Sequence, residues 1–140
     1  MNDLSDRYKK INDRILTACE IAQRDPKSVK LLAVSKTKPP EMVDEFASLG
    51  QKFFGENKIQ EAQEKIPLCI SGLQWHLIGH LQSNKAKIAA NLFDMVHSVD
   101  SPKIMNALDR NAETTLPIFC LLYTSPSPRD NRTSRMPSSA

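Results

Sequence analysis

Apolar residues recur at two different spacings along this chain. Up to residue 24 they return at steps of three and four, the period of one buried helix face: Leu4, Tyr8, Ile11, Ile15, Ala18, Cys19 and Ala22. Beyond residue 24, short apolar runs alternate with longer amphipathic stretches. These patterns predict a helix at 3–24, strands at 29–35, 52–56, 74–79, 94–99 and 116–119, and helices at 39–49, 58–65, 81–90 and 101–112.

Local signals support several of the predicted boundaries. Pro39 and Pro40 open the second helix, where the missing N–H of proline costs nothing, and Gly50 is placed to end it as the C′ residue. Ser101 followed by Pro102 predicts an N-cap and a first-turn proline for the last helix.

Strands alternating with helices predict right-handed βαβ units and therefore a parallel sheet. Two α/β architectures have this order, a doubly wound open sheet and a (β/α)8 barrel. No Gly-rich phosphate loop follows the first strand, which counts against a dinucleotide-binding doubly wound fold. A barrel takes about 250 residues. We therefore predict an α/β fold that is the first half of a (β/α)8 TIM-type barrel, truncated and carrying an extra N-terminal helix.

Residues 120–140 follow neither period. The segments CLLYTSPSPRD and SRMPSSA look like translated sequencing-library adapter read in frame, joined by a short index region. We therefore predict two parts, a partial barrel domain at 1–119 and a non-native disordered tail at 120–140. A natural Ser/Pro-rich disordered tail is the alternative that this composition allows.

Composition and charge exclude several classes of function. Hydrophobic residues make up 40% of the 140 residues and charged residues 25%, as in ordinary globular domains. The formal net charge of +3 falls to +1 without the tail, where three arginines stand against one aspartate, so no basic surface predicts nucleic-acid binding. No apolar run approaches the ~20 residues that cross a bilayer, and no signal-peptide core follows Met1, so we expect a cytoplasmic protein without membrane contact.

The cysteines do not indicate a disulfide framework or a metal site. Cys19, Cys69 and Cys120 are three in number, widely spaced and without a CxxC pair. They are most simply reduced, packed thiols.

The candidate chemistry lies where the predicted strands end. Lys36 follows the first apolar strand, and alternation places it on the same side as Leu32 and Val34. A lysine sheltered in a pocket at a strand tip has a lowered pKa, and its neutral amine forms a Schiff base with an aldehyde. An exposed lysine that merely closes a strand is the alternative. In a parallel barrel the other strand ends bring an asparagine, a histidine and a serine to the same rim, namely Asn57, His80 and Ser98.

Four segments, in order, carry a family resemblance: AVSKTKP, FFGENKIQEAQEKI, WHLIGHLQSNK and HSVDS. Over nearly all of residues 1–119 the chain resembles the pyridoxal phosphate homeostasis proteins, whose single domain is similar to the N-terminal barrel of alanine racemase. The resemblance implies pyridoxal 5′-phosphate held as a Schiff base on Lys36, a cofactor contact from Asn57 and a partly functional role for Asn84. It assigns no role to His80. The family's phosphate-binding residues, and an arginine facing the pyridine nitrogen, lie in the second half of its barrel.

The function implied is vitamin B6 homeostasis by cofactor binding without catalytic turnover. The implied partners are the small-molecule cofactor and pyridoxal phosphate-dependent apoenzymes, with a monomer as the full-length state. One alternative is an amino-acid racemase, which needs a second base, and the body of the chain offers only Tyr8 as a tyrosine. Another alternative is a scaffold in which Lys36 is structural, or a truncated fragment without activity.

Each motif also has a structural interpretation. Asn57 suits an N-cap for a helix beginning at Lys58, a role compatible with ligand contact. Trp75 is better explained as core than as a cofactor platform, and His76 as a hydrogen-bonded core histidine than as a metal ligand. The polar stretch 82–87 is typical of a solvated helix face.

Overall fold

A computed structural model describes residues 3–121 of the chain. The strands and helices alternate as predicted, and three single 3₁₀ turns, Pro26–Ser28, Ile66–Leu68 and Ser83–Lys85, join some of them. In chain order the main elements are α1 (Asp3–Ile21), β1 (Ala33–Val34), α2 (Pro40–Ser48), β2 (Phe53–Glu56), α3 (Ile59–Lys65), β3 (Gln74–Leu77), α4 (Ala86–Leu92), β4 (Met95–Val99), α5 (Pro102–Asn111) and β5 (Ile118–Cys120).

The predicted tail at 120–140 lies almost entirely outside the described residues. Only its first two residues are described, and Cys120 is the last residue of β5.

The five described strands form one parallel sheet in the order β1-β2-β3-β4-β5. The predicted α/β class and parallel sheet are therefore confirmed. A doubly wound sheet reverses its strand order at a switch point, and residues 3–121 show no such reversal. Each strand instead pairs with the strand before it, with a helix between them.

Alternation along the strands separates a buried face from a more open one. Phe54, Trp75 and Leu77 are buried in a core shared with the helices, which confirms Trp75 as a core residue. The helices contribute small and branched residues to this core, including Val43, Ala62, Ala86, Ala89, Ile104, Ala107 and Leu108. On the opposite face the apolar side chains of Val34 and Phe119 remain more than half exposed.

The first strand is much shorter than the predicted 29–35. Only Ala33 and Val34 pair with β2. Upstream, the carbonyl of Leu31 accepts a hydrogen bond from the side-chain amide of Gln51 at 2.7 Å. Because a side chain supplies this bond in place of a neighbouring strand, the backbone is satisfied without a ladder.

One helix begins well after its predicted start, whereas three capping signals hold. The helix predicted at 81–90 begins at Ala86, because the 3₁₀ turn Ser83–Lys85 precedes it and Leu81 lies fully buried before that turn. Gly50 does end α2, with a φ of 106° that suits glycine. The hydroxyl of Ser101 caps α5 by accepting from the N–H of Ile104 at 3.2 Å, and Pro102 follows in the first turn.

We expect Leu77→Ala to lower the free energy of unfolding by about 3 kcal/mol, because it leaves a cavity in the core. Leu77 is 0% exposed in the centre of the sheet. Leu68→Ala is the matched control, since Leu68 is 69% exposed and should change stability little. Urea denaturation followed by circular dichroism measures both; equal midpoints for the two variants would show that the sheet does not pack as described.

Candidate functional site

The carboxyl ends of the strands bring the predicted site residues to one edge of the sheet. Lys36 lies two residues after β1, and Asn57 directly follows β2. Hydrogen bonds continue the ladder to this edge, from the N–H of Ser35 to Gly55 at 3.0 Å and from the N–H of Ile78 to Glu56 at 2.9 Å. The ends of the first three strands therefore lie side by side.

A buried lysine lies directly beneath this edge. Lys65, the last residue of α3, is 5% exposed, and its Nζ donates to Glu56 Oε1 at 2.6 Å and to the Ser35 carbonyl at 2.6 Å. Glu56 is fully buried, and its Oε1 also accepts from the hydroxyl of Ser35 at 2.7 Å. The ends of β1, β2 and α3 are thus joined by charge-assisted hydrogen bonds inside the protein.

Glu61 extends this network to the surface. Its Oε1 accepts from Lys65 Nζ at 2.8 Å and from the backbone N–H of Thr37 at 2.5 Å. These bonds outweigh partial burial and hold the pKa of Glu61 below its ordinary value. Burial alone would lower the pKa of Lys65, but its hydrogen bonds to Glu56 and Glu61 raise it instead. Lys65 is therefore a firmly protonated ammonium.

Lys36 itself is exposed, unlike the sheltered lysine that the sequence predicted. Residues 3–121 leave its side chain exposed, and the sheltered setting stays a prediction. The sheltered lysine of this edge is Lys65, whose charge is fixed by its partners. Lys36 has the free amine, and its neighbours Ser35 and Thr37 are both held by the buried network.

Asn57 is half-buried and does not cap the following helix. The N-cap position of α3 is Lys58, and no side chain caps this helix. The capping interpretation was wrong because the helix begins one residue later, at Ile59. No described residue forms a hydrogen bond with the Asn57 side chain, so its amide stays available. Its backbone lies against Gly79, where any Cβ would overlap the Asn57 carbonyl.

The other residues of this edge differ in exposure, since Ser98 is half-buried whereas His80 and Asn84 are exposed. Ser98 donates its hydroxyl to the carbonyl of Gly79, which ties the end of β3 to β4. His80 lies 3.8 Å from Asp100, between Nδ1 and Oδ2. Asn84 is exposed in the turn Ser83–Lys85, within the stretch interpreted as a solvated face. Its proposed cofactor role stays a prediction.

The network around Lys65 is the feature that sequence reasoning missed. A signal was present, because Ile59, Ala62 and Lys65 share one face of α3 and the first two pack against the core. A lysine on an apolar helix face needs a buried acid, and Glu56 was the acid at the nearest strand end. The sequence pattern did not show which strand residue would face it.

On the open face of the sheet two histidines form a pair. His76 Nδ1 lies 2.9 Å from His97 Nε2, and the His97 ring packs edge-on against Phe119 with centroids 5.0 Å apart. Burial lowers the pKa of His76, and His97 lowers it further against a smaller effect of Asp94. Burial also lowers the pKa of His97. The hydrogen bond predicted for His76 is observed, but the residue is half-buried on the open face of the sheet and is not part of the core. No group of three metal-ligating side chains occurs within residues 3–121.

Comparison with known proteins identifies related chains. No family model matches. The chain is 40% identical over 121 residues to the pyridoxal phosphate homeostasis protein of Escherichia coli K12, which covers 84% of this chain and 52% of that protein. It is 44% identical over 118 residues to the protein of the same name from Pseudomonas aeruginosa, covering 84% and 51%. The chain thus spans about half the length of the curated relatives it matches.

A solved structure gives the same relationship. PipY of Synechococcus elongatus with PLP bound has a TM-score of 0.65 and 39% identity, covering 84% of this chain and 60% of that chain. The resemblance predicted from the four motifs is confirmed. No helix within residues 3–121 is both long and apolar enough to span a membrane.

Because of the pair formed by His76 and His97, we expect the free energy of unfolding to fall in acid. Because both folded-state pKa values lie below the ordinary 6.5, the unfolded chain binds more protons. The contribution of the pair to the free energy of unfolding is therefore fully present above pH 6.5. It is lost as the pH falls through the lowered folded-state pKa values. Between pH 6.5 and the lowered pKa values, unfolding takes up protons. We expect His97→Gln to reduce the number of protons taken up by about one at most.

Urea denaturation at a series of pH values measures how steeply the free energy of unfolding falls as the pH is lowered. His80→Gln is the control, because the His80 side chain is 70% exposed and is solvated in both states. An acid slope that His97→Gln leaves unchanged would contradict the assignment.

Proposed function

Because this chain is homologous to the pyridoxal phosphate homeostasis proteins over about half of their length, we propose that it binds pyridoxal 5′-phosphate and serves vitamin B6 homeostasis. The observation that carries the proposal is the carboxyl edge of the sheet, which presents the exposed amine of Lys36 and the uncommitted amide of Asn57 on neighbouring strand ends. The carboxyl ends of parallel strands are where α/β proteins bind ligands.

The residues of this edge fit the chemistry of the cofactor. Its aldehyde condenses with a primary amine, forming a carbon–nitrogen double bond and releasing water. Lys36 is the amine that we propose for this Schiff base. Lys65 is unsuited, because its ammonium is buried and bound to two carboxylates. The Asn57 amide would orient the ring of the cofactor. Because Gly79 has no side chain, the backbone of Asn57 can lie against it. Asn84 is proposed as a further contact.

We propose that the sheet is the first part of a (β/α)8 barrel whose domain occupies 1–119. Three observations support this: the strands follow in chain order, apolar side chains remain exposed on the face away from the core, and the relatives are about twice as long. In such a barrel the exposed face would become the interior, with Val34 and Phe119 packed against later strands. The phosphate of the cofactor would then be bound mainly by residues of the later part.

A carrier role explains the edge better than an amino-acid racemase does. A racemase needs a base on each face of its substrate. The hydroxyl of Tyr8 instead donates to Gln51 at 3.1 Å, and Gln51 donates to the Leu31 carbonyl before β1. Tyr8 is therefore committed to the amino end of the sheet, opposite Lys36. Delivery to apoenzymes, a cytoplasmic location and a monomeric full-length state stay predictions of this proposal.

We expect borohydride to fix pyridoxal phosphate on Lys36 when the cofactor is supplied to the full chain. Peptide mass mapping locates the reduced adduct. Lys36→Ala should abolish it, whereas Lys38→Ala, two residues away and also exposed, should leave it unchanged. A parent chain without the adduct on Lys36, or with equal modification of both lysines, would defeat the proposal and favour a scaffold. Loss of optical rotation from an L-amino acid supplied with the cofactor would favour the racemase.

We expect Asn57→Ala to weaken cofactor binding about tenfold, because it removes one hydrogen bond to the ligand. Stability should change little, since no described residue bonds to this amide. Equilibrium dialysis with pyridoxal phosphate measures the affinity. Asn106→Ala, at an exposed position of α5, is the control and should bind as the parent does. Equal affinities for the two variants would remove Asn57 from the site.

A further inference from the structure

The loop that carries Lys36 is held from below by helix α3. We propose that Glu61 and Lys65 are positioning residues, which fix the backbone on both sides of Lys36 and so aim its amine at the cofactor. This inference rests on the proposed function and adds to it a pair of residues that touch neither the amine nor the ligand.

The residue before Lys36 is fixed at three points. The N–H of Ser35 donates to the Gly55 carbonyl at 3.0 Å, its hydroxyl to Glu56 Oε1 at 2.7 Å, and its carbonyl accepts from Lys65 Nζ at 2.6 Å. Ser35 is itself 5% exposed. Hydrogen bonds in such a water-excluded place are strong, so Ser35 has little freedom to rotate.

The residue after Lys36 is held in a conformation that it would rarely adopt alone. Thr37 has a φ of 62°, in the left-handed region that disfavours a β-branched side chain. Its N–H donates to the Glu61 carboxylate at 2.5 Å, and the N–H of Lys38 closes the turn on the Ser35 carbonyl at 3.1 Å. Glu61 therefore maintains a strained turn, and this strain sets the direction in which Lys36 leaves the backbone.

Lys65 links the contacts that hold Ser35 to those that hold Thr37. Its ammonium binds the Ser35 carbonyl, Glu56 and Glu61 together, so the positions before and after Lys36 depend on one buried charge. The same bonds keep this amine protonated, so it does not compete for the aldehyde. The same network thus holds the backbone on both sides of Lys36 and keeps the amine of Lys65 protonated and unreactive toward the aldehyde.

The test compares three substitutions on α3 in the full chain. Glu61→Ala removes the acceptor for Thr37 while alanine keeps the helix favourable. Glu61→Gln retains an acceptor oxygen and should rescue. Glu64→Ala is the matched control, since Glu64 is exposed on the same helix. The measurements are hydrogen exchange of the Thr37 amide without cofactor, and the borohydride-trapped adduct on Lys36, each well below the thermal midpoint of the variant.

We expect Glu61→Ala to speed exchange at Thr37 and to lower the trapped adduct on Lys36 about tenfold, as loss of a charge-assisted hydrogen bond implies. Glu64→Ala should behave like the parent, and Glu61→Gln, which keeps a neutral acceptor for the Thr37 N–H, should recover most of the adduct. The double variant Glu56→Gln/Lys65→Met removes the bond from Lys65 to the Ser35 carbonyl without leaving a buried charge unpaired between these two positions. It should lose the adduct as well.

Two failures are distinguishable. If the parent chain forms no adduct on Lys36, the proposed function fails and this inference fails with it. If the parent forms the adduct and Glu61→Ala forms it equally, the positioning role is overturned while the proposed function stands. Unchanged exchange at Thr37 in Glu61→Ala would overturn the inference without reference to the cofactor, as would an equal loss of adduct in Glu64→Ala.

Discussion

The ammonium of Lys65, buried among two carboxylates and a backbone carbonyl, is the interaction on which the candidate site depends. Removing a charge from water costs several kcal/mol, and a close, hydrogen-bonded partner must offset that cost. Here Glu56, Glu61 and the carbonyl of Ser35 all lie within 2.8 Å of one nitrogen. The three groups come from β2, α3 and the residue directly after β1, so the charge can be satisfied only when these segments meet correctly.

This constraint explains how an edge of loops can have a defined geometry. Loops seldom bury apolar surface, and their order must come from other contacts. The turn after β1 takes its order from Ser35 and Thr37, and the end of β3 takes its order from close contact between Gly79 and Asn57. Lys36 and Asn57 are thus held by their neighbours, while no residue within 3–121 forms a hydrogen bond with either side chain.

The sequence predicted the parts of this structure that follow from periodicity and from local chemistry. Alternating apolar runs predicted the parallel sheet, and Ser101 with Pro102 predicted the start of α5 correctly. The sequence also placed Lys36 at the carboxyl edge of the sheet, where it lies two residues after β1, and its role as the Schiff-base lysine stays a prediction. The extent of β1 was not predictable, because it depends on a side-chain bond from Gln51, twenty residues away.

The remaining errors have the same origin. Asn57 has the right residue type for an N-cap, but the helix starts later and its amide caps no part of it. Lys65 resembles any lysine at the end of a short helix, and only the fold shows Glu56 facing it. Local propensity therefore identified the elements, while the polar contacts between elements required the three-dimensional structure.

The most direct measurement of the central claim is a crystal structure of the chain grown with pyridoxal phosphate. We expect continuous density between the aldehyde carbon of the cofactor and Nζ of Lys36, with the amide of Asn57 beside the ring and Lys65 still bound to Glu56. Density for the cofactor on another lysine, with the amine of Lys36 free in solvent, would contradict it.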